Sequence, residues 1–182
     1  MKNFILSLIF VTLATGALRS QEKFGRTLNI GAGLGYYGYY YGYAPALNVN
    51  YEFDVFKNFT LAPFASVLTY RSYRYWGTKD FPYRDYYYRE TIVPIGVKGS
   101  YYFDELLNAD EKWDFYAAAS LGVAFRTVRW ENGYYGERVV RQSASPLYGD
   151  LHIGTEYHFA PKAGLFLDLS TGLSTLGVGF HF

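Results

Sequence analysis

The chain has 182 residues, 17 Lys and Arg against 16 Asp and Glu, a formal net charge of +1 and no cysteine. Near-neutrality argues against a general nucleic-acid binder, and the lack of cysteine excludes disulfides, a lipid on an N-terminal cysteine, and cysteine-based metal sites or nucleophiles. Aromatic residues make up 21% of the chain, with 21 Tyr; a soluble domain of this size can hardly bury so many rings, whereas a membrane barrel places them in interfacial girdles.

The N-terminus reads as a secretory signal peptide: Lys2, an apolar run from Phe4 to Leu13, then small residues at Ala14, Gly16 and Ala17. The apolar core is too short to span a bilayer. The expected organisation is a leader over residues 1–20, cleaved after Ser20 or after Ala17, and one domain over 24–182.

Eight period-two segments follow, the signature of strands with two unlike faces. Arg26 to Tyr37 sets Leu28, Ile30, Ala32, Leu34 and Tyr36 against Thr27, Asn29, Gly31, Gly33 and Gly35. Ala46 to Phe56 sets Leu47, Val49, Tyr51, Phe53 and Val55 against Asn48, Asn50, Glu52 and Asp54, and ends in a Phe56-Lys57-Asn58 turn. Phe59 to Tyr70 is a third strand with ambiguous facing, because Leu61 and Val67 compete with Phe64 and Leu68. Thr91 to Phe103 is the fourth, Phe115 to Arg126 the fifth and Leu147 to Phe159 the sixth. Ala160-Pro161-Lys162 turns into a seventh carrying Leu165, Leu167 and Leu169, and a tight link near Gly172 leads to an eighth over Thr175 to Phe182. Each run suits a tilted membrane strand, and the count is even, as in single-chain barrels. Pro63 and Pro94 fall inside strands, where a missing donor predicts a bulge or local defect.

Alternation alone leaves open which face points outward, since a soluble barrel also alternates. Three features favour lipid outside. The polar face carries Gly31, Gly33, Gly35, Gly96, Gly122, Gly154, Gly177 and Gly179, which suit a crowded interior. Aromatics gather at strand ends, and the apolar faces hold almost no charge.

The alternation, the segment Ile92-Val93-Pro94-Ile95-Gly96-Val97-Lys98-Gly99-Ser100-Tyr101-Tyr102-Phe103 and the terminal Gly-Phe-His-Phe resemble the small outer-membrane barrels of the OmpA-transmembrane and OmpX kind, the outer membrane protein beta-barrel domain family. The resemblance implies an all-β, eight-stranded antiparallel up-and-down transmembrane β-barrel, preceded by a signal peptide and exported to the cell outer membrane. It also implies that the last strand, with Leu176, Val178, Phe180 and Phe182, is the signal read by the barrel insertion machinery. It implies no shared activity, because members differ mainly in their loops.

Candidate chemistry is sparse. Gly33-Leu34-Gly35-Tyr36-Tyr37-Gly38 fits a nucleotide-binding pattern, but the Tyr-Gly run after it is no helix, so it offers no phosphate site. Glu52, Lys98, Asp150, His152, Glu156, Asp168 and Arg126 project inward and form an expected lumen charge cluster. Counting from the turn end, Lys98 belongs at the depth of Glu52, Glu156 and Asp168, with Arg126 nearer the loops. Glu156 and His158 have metal-ligand chemistry, but inward charges also fill the space between strands, and the expectation is no metal, no cofactor and no catalytic residue. A lipid A-modifying barrel enzyme would need Ser, His and carboxylate together near the external rim; Ser170 and Ser174 lie there without a His.

The loops carry the strongest functional signal. Arg71 to Arg89 and Arg126 to Pro146 are net basic and rich in rings, whereas the opposite end, with Asp54, Asp104, Glu105, Asp110, Glu111 and Asp114, is net acidic. The expected binding surface comprises Tyr73, Arg74, Tyr75, Trp76, Arg84, Tyr87, Arg129, Trp130 and Arg138. Cations at the external end suit lipopolysaccharide phosphates, and Tyr–Gly loops have the composition of paratopes. The expected protein is a monomeric, side-chain-filled barrel acting as a structural or adhesive platform. Its expected partners are outer-membrane lipid, lipopolysaccharide and an extracellular protein or glycan, with no nucleic acid. A barrel enzyme, a narrow pore and a soluble ligand-holding barrel are the alternatives.

Overall fold

The computed structural model describes residues 25–36, 44–138 and 146–182; the expected leader and Tyr37 lie outside them. Eight strands close into a barrel: β1 (Arg26–Gly35), β2 (Ala44–Phe56), β3 (Phe59–Thr78), β4 (Phe81–Tyr102), β5 (Trp113–Trp130), β6 (Leu147–Ala160), β7 (Ala163–Ser170) and β8 (Leu173–His181). Each pairs antiparallel with the next, and β8 returns to β1 with Thr27 opposite His181 and Leu28 opposite Phe180. Closure removes the unpaired edges that hydrocarbon would penalise. A four-residue helix, α1 (Asp104–Leu107), sits in the β4–β5 turn. Among the described residues no helix is long and apolar enough to cross a membrane.

The faces are inverted relative to a soluble barrel. Leu47, Leu121, Leu147, Leu151 and Ile153 point outward and are 58–68% exposed, while Asn29, Asn50, Glu52, Lys98, Asp150, Glu156 and Asp168 are buried inside. A ligand-holding soluble barrel turns its aliphatic residues inward. Here hydrocarbon must be the outer solvent, because that much aliphatic surface is unfavourable in water. At the turn end the outer face carries a girdle in which Phe59 packs on Tyr101 at 5.0 Å and Trp113 on Tyr157 at 4.9 Å.

Pairing resolves the third strand: Leu61, Pro63, Ala65 and Val67 face outward, while Ala62, Phe64, Ser66 and Leu68 face inward. The prolines produce gaps, not bulges. The β2–β3 ladder skips the pairs opposite Pro63, and the β3–β4 ladder skips those opposite Pro94, with no register shift at either. Each proline therefore lacks a donor toward one neighbour only, and the flanking pairs hold register. The shifts lie elsewhere, between Asp54 and Phe56, Trp76 and Thr78, and His158 and Ala160, all beside turns. Asn58 takes the left-handed conformation (φ 60°) that the two-residue β2–β3 turn needs.

The largest departure from the sequence reading lies at the external end. Arg71 to Arg89 is not a loop: β3 and β4 run on as a long hairpin turned by Lys79 and Asp80, and β5 follows it to Trp130. One face of this extension is covered by an aromatic stack and the other meets water, but both carry rings and charges, so no apolar–polar alternation marks it.

Rings fill the lumen. Tyr102 packs on Tyr116 at 5.5 Å and Phe64 on Tyr148 at 5.7 Å. Glycines make the room: a Cβ at Gly31 or Gly177 would lie 2.9 or 2.6 Å from Cζ of Phe166, and one at Gly154 would strike the Tyr116 ring. These close approaches explain the small residues on the polar face.

Candidate functional site

The interior charges form layers. Toward the turn end, Glu52 accepts hydrogen bonds from the Thr60 hydroxyl, the Tyr102 hydroxyl (2.7 Å) and Asn29 Nδ2 (3.3 Å). In the middle, Asp168 accepts from Lys98 Nζ (3.2 Å) and the Tyr116 hydroxyl (2.8 Å), and pairs with His152 Nδ1 (2.7 Å). Nearer the external end, Asp150 accepts from Tyr148, Ser170, Thr171 and the Leu173 backbone N–H, at 2.6–3.0 Å. That carboxylate ties the tight β7–β8 turn to β6. Above it Arg126 pairs with Glu90, which is 1% exposed.

The register brings Lys98 to Asp168, while Glu52 and Glu156 are held by other groups. Sequence reading missed Glu90, Ser120 and the tyrosine donors. Tyr102 and Tyr116 both face inward, and ring length decides which carboxylate each reaches.

Ser120 Oγ lies 2.8 Å from His152 Nε2, so Ser120, His152 and Asp168 form a Ser–His–Asp chain. Such a chain acts as a nucleophile only where substrate and oxyanion donors can meet the hydroxyl. Here it is mid-barrel, not at the rim; Ser120 is 3% exposed and the adjoining cavity is about 20 Å³, room for one water. Lys98 and Tyr116 also hold Asp168. The chain links β5, β6 and β7, three neighbouring strands of the wall.

The external hairpin has two unlike faces. On the inner one, Trp76 meets Tyr134 at 5.2 Å and Tyr86 at 5.7 Å, and Trp130 stacks on Tyr134 at 4.1 Å. Arg74 lies over Trp130 and donates to the Glu137 carbonyl oxygen (3.0 Å), and Arg138 donates to that of Tyr134. Arg84 pairs with Glu131 at 2.8 Å and sits over the Tyr86 ring. Of the expected binding surface, then, Arg74, Trp76, Arg84, Trp130 and Arg138 fasten the β5–β6 connection to the hairpin. Tyr73, Tyr75 and Tyr87 stand on the opposite face with Tyr83, 50–66% exposed.

Below those tyrosines, toward the membrane, the outer face runs in cross-strand rows. Arg71 is opposite Arg89, which is opposite Arg129; the next row is Thr69, Thr91 and Thr127. Beyond that, Val67, Val93 and Phe125 enter the apolar belt. All three arginines are exposed, and among the described residues no carboxylate forms an ion pair with any of them.

Glu131 also accepts the Tyr87 backbone N–H at 3.1 Å; that bond first, and then Arg84, hold its carboxyl below the ordinary glutamate range. A depressed folded value means that the tie is intact above the ordinary range and is lost as pH falls through the folded value. The Tyr87 amide resonance should therefore stay constant from pH 8 to 5 and move only below the ordinary glutamate range; movement near neutrality would assign the tie to another group.

No protein-family model matches the chain, and no curated protein matches it by sequence. Among solved structures, Neisserial surface protein A (NspA) superposes with a TM-score of 0.54 at 13% identity, over 86% of this chain and 96% of that one. Ail, the attachment invasion locus protein of Yersinia pestis, crystallised with the heparin analogue sucrose octasulfate, superposes at 0.49 and 8% identity, over 86% and 96%. A de novo designed transmembrane β-barrel superposes at 0.46 and 10%, over 88% and 98%. The chain thus has the fold of the small eight-stranded outer-membrane barrels. That fold, with the aliphatic outer face, makes the wall a membrane-spanning one.

Proposed function

We propose that the protein is a non-catalytic surface platform, exported by residues 1–20 and inserted through its C-terminal strand. In this reading it grips anionic outer-leaflet lipid and presents the tyrosine face of its hairpin to an extracellular protein or glycan. The observation that carries the reading is the Arg71–Arg89–Arg129 row, one threonine row above the apolar belt. Three adjacent guanidiniums at that height suit the phosphates of lipopolysaccharide, with which arginine forms bidentate, charge-assisted hydrogen bonds. Tyr73, Tyr75, Tyr83 and Tyr87 then stand clear of the headgroups, with rigid amphipathic rings suited to recognition. The Ser120–His152–Asp168 chain adds no enzymatic reading, since it is walled in.

The test is the triple variant Arg71→Gln, Arg89→Gln, Arg129→Gln, with lipopolysaccharide titrated onto the folded protein in neutral detergent. At about 1 kcal/mol per basic residue, affinity should fall about 100-fold. Tyr73→Ala with Tyr87→Ala should leave lipopolysaccharide affinity intact and lower attachment of bearing cells to host matrix. Unchanged affinity in the arginine variant would overturn the lipid role; unchanged attachment in the tyrosine variant would overturn the presenting face.

A further inference from the structure

We infer that the periplasmic mouth of the barrel holds a divalent transition-metal site, built by Glu156, His158 and His181 and suited to Zn²⁺. One donor atom from each of these residues lies within 4.8 Å of the other two, and the two imidazole rings are 4.8 Å apart. Sequence reading had Glu156 and His158 two residues apart on one strand. His181 comes from β8, two strands along the wall from β6, and shares its inward face.

Three features distinguish this cluster from charges that merely fill space. First, both imidazoles already have the outer partners that orient histidine at a zinc site. His158 Nε2 lies 2.7 Å from Asp114 Oδ2, and His181 Nδ1 lies 3.0 Å from the Thr27 hydroxyl. Asp114 is opposite Glu156 across β5 and β6, which sets it behind the His158 ring and leaves Nδ1 of that ring as the ligand atom. Second, Gly179 leaves space that two oxygens share. A Cβ there would sit 2.6 Å from Glu156 Oε1 and 2.8 Å from Asn29 Oδ1. Asn29 is 6% exposed, and its Oδ1 is buried with no hydrogen-bond partner. An unsatisfied carbonyl oxygen beside a carboxylate is costly unless something positive lies between them. Third, the site opens on a mouth of about 750 Å³ lined by Asp104, Glu105, Asp110 and Glu111, which gives a cation an attractive way in.

Imidazole with carboxylate selects zinc-like ions over Mg²⁺ and Ca²⁺, which prefer all-oxygen shells. A bound ion would join β6 to β8 over the intervening β7, next to the β8–β1 seam where the barrel closes. This site is independent of the external surface proposed above, and neither reading needs the other.

The folded protein in detergent micelles, stripped with chelator, is titrated calorimetrically with Zn²⁺ and separately with Mg²⁺. One equivalent of Zn²⁺ should bind and raise the thermal unfolding midpoint, the gain should be lost when chelator is added, and Mg²⁺ should not compete. His181→Gln and Glu156→Gln should each weaken binding by 100-fold or more. Thr27→Val, which keeps every proposed ligand, should weaken it about 10–100-fold through loss of imidazole orientation. Folding of each variant is read from its heat-modifiable migration on gels; a variant that fails this check is replaced by His158→Gln. Absence of Zn²⁺ binding to the parent protein, or equal binding by folded ligand variants, would overturn the site.

Discussion

Replacing Asp168 by Ala should be the most damaging single truncation inside the barrel, costing about 3–5 kcal/mol of unfolding free energy in urea titrations from micelles. The carboxylate is 4% exposed and faces Lys98, Tyr116 and His152 together. Its loss leaves an ammonium, a hydroxyl and an imidazole buried without their acceptor, in a lumen with space for one water. Ser120→Ala removes only the far end of the same chain and should cost about 1 kcal/mol, the ordinary net worth of one hydrogen bond. Equal small effects for both would mean that water reaches the middle of the lumen, which would revive the narrow-pore alternative.

The second large effect belongs to the outer wall. Ile153→Arg should cost about 2–4 kcal/mol, as charged substitutions do at the midplane of outer-membrane barrels. Ile153 is 58% exposed near the middle of β6. In a water-soluble barrel the same change at so exposed a position would be nearly neutral. The measurement is folding yield and urea midpoint in phospholipid vesicles, with Lys162→Arg in the β6–β7 turn as the neutral control.

The membrane-embedded part was legible because two solvents act on it. Lipid outside and a packed polar lumen inside write an alternating record into β1, β2 and β5 through β8, and their faces read directly from Leu28, Val49, Leu121 and Ile153. Two elements escaped. In the β3–β4 hairpin rings and charges stand on both the covered and the wet face, so Arg71 to Arg89 looked like a loop despite the pairing of Arg71 with Arg89 and Tyr73 with Tyr87. In α1, four residues are too few to show any period.

Within the lumen, inwardness was readable but partnership was not. Lys98 meets Asp168 because of the stagger between strands that are far apart in the chain, which no local pattern encodes. The same stagger brings Ser120 to His152 and His181 to Glu156. The arginine row is another register product: three single arginines become one patch only when β3, β4 and β5 align.

A chain without cysteine permits one decisive reading of the wall. Single cysteines at the outward positions 121, 151 and 153, and at position 162 in the β6–β7 turn, each carry an environment-sensitive fluorophore in vesicles containing brominated lipid. Quenching by the lipid should be strong at the first three and weak at 162. Equal exposure of all four to an aqueous quencher would contradict a barrel whose aliphatic side faces the bilayer.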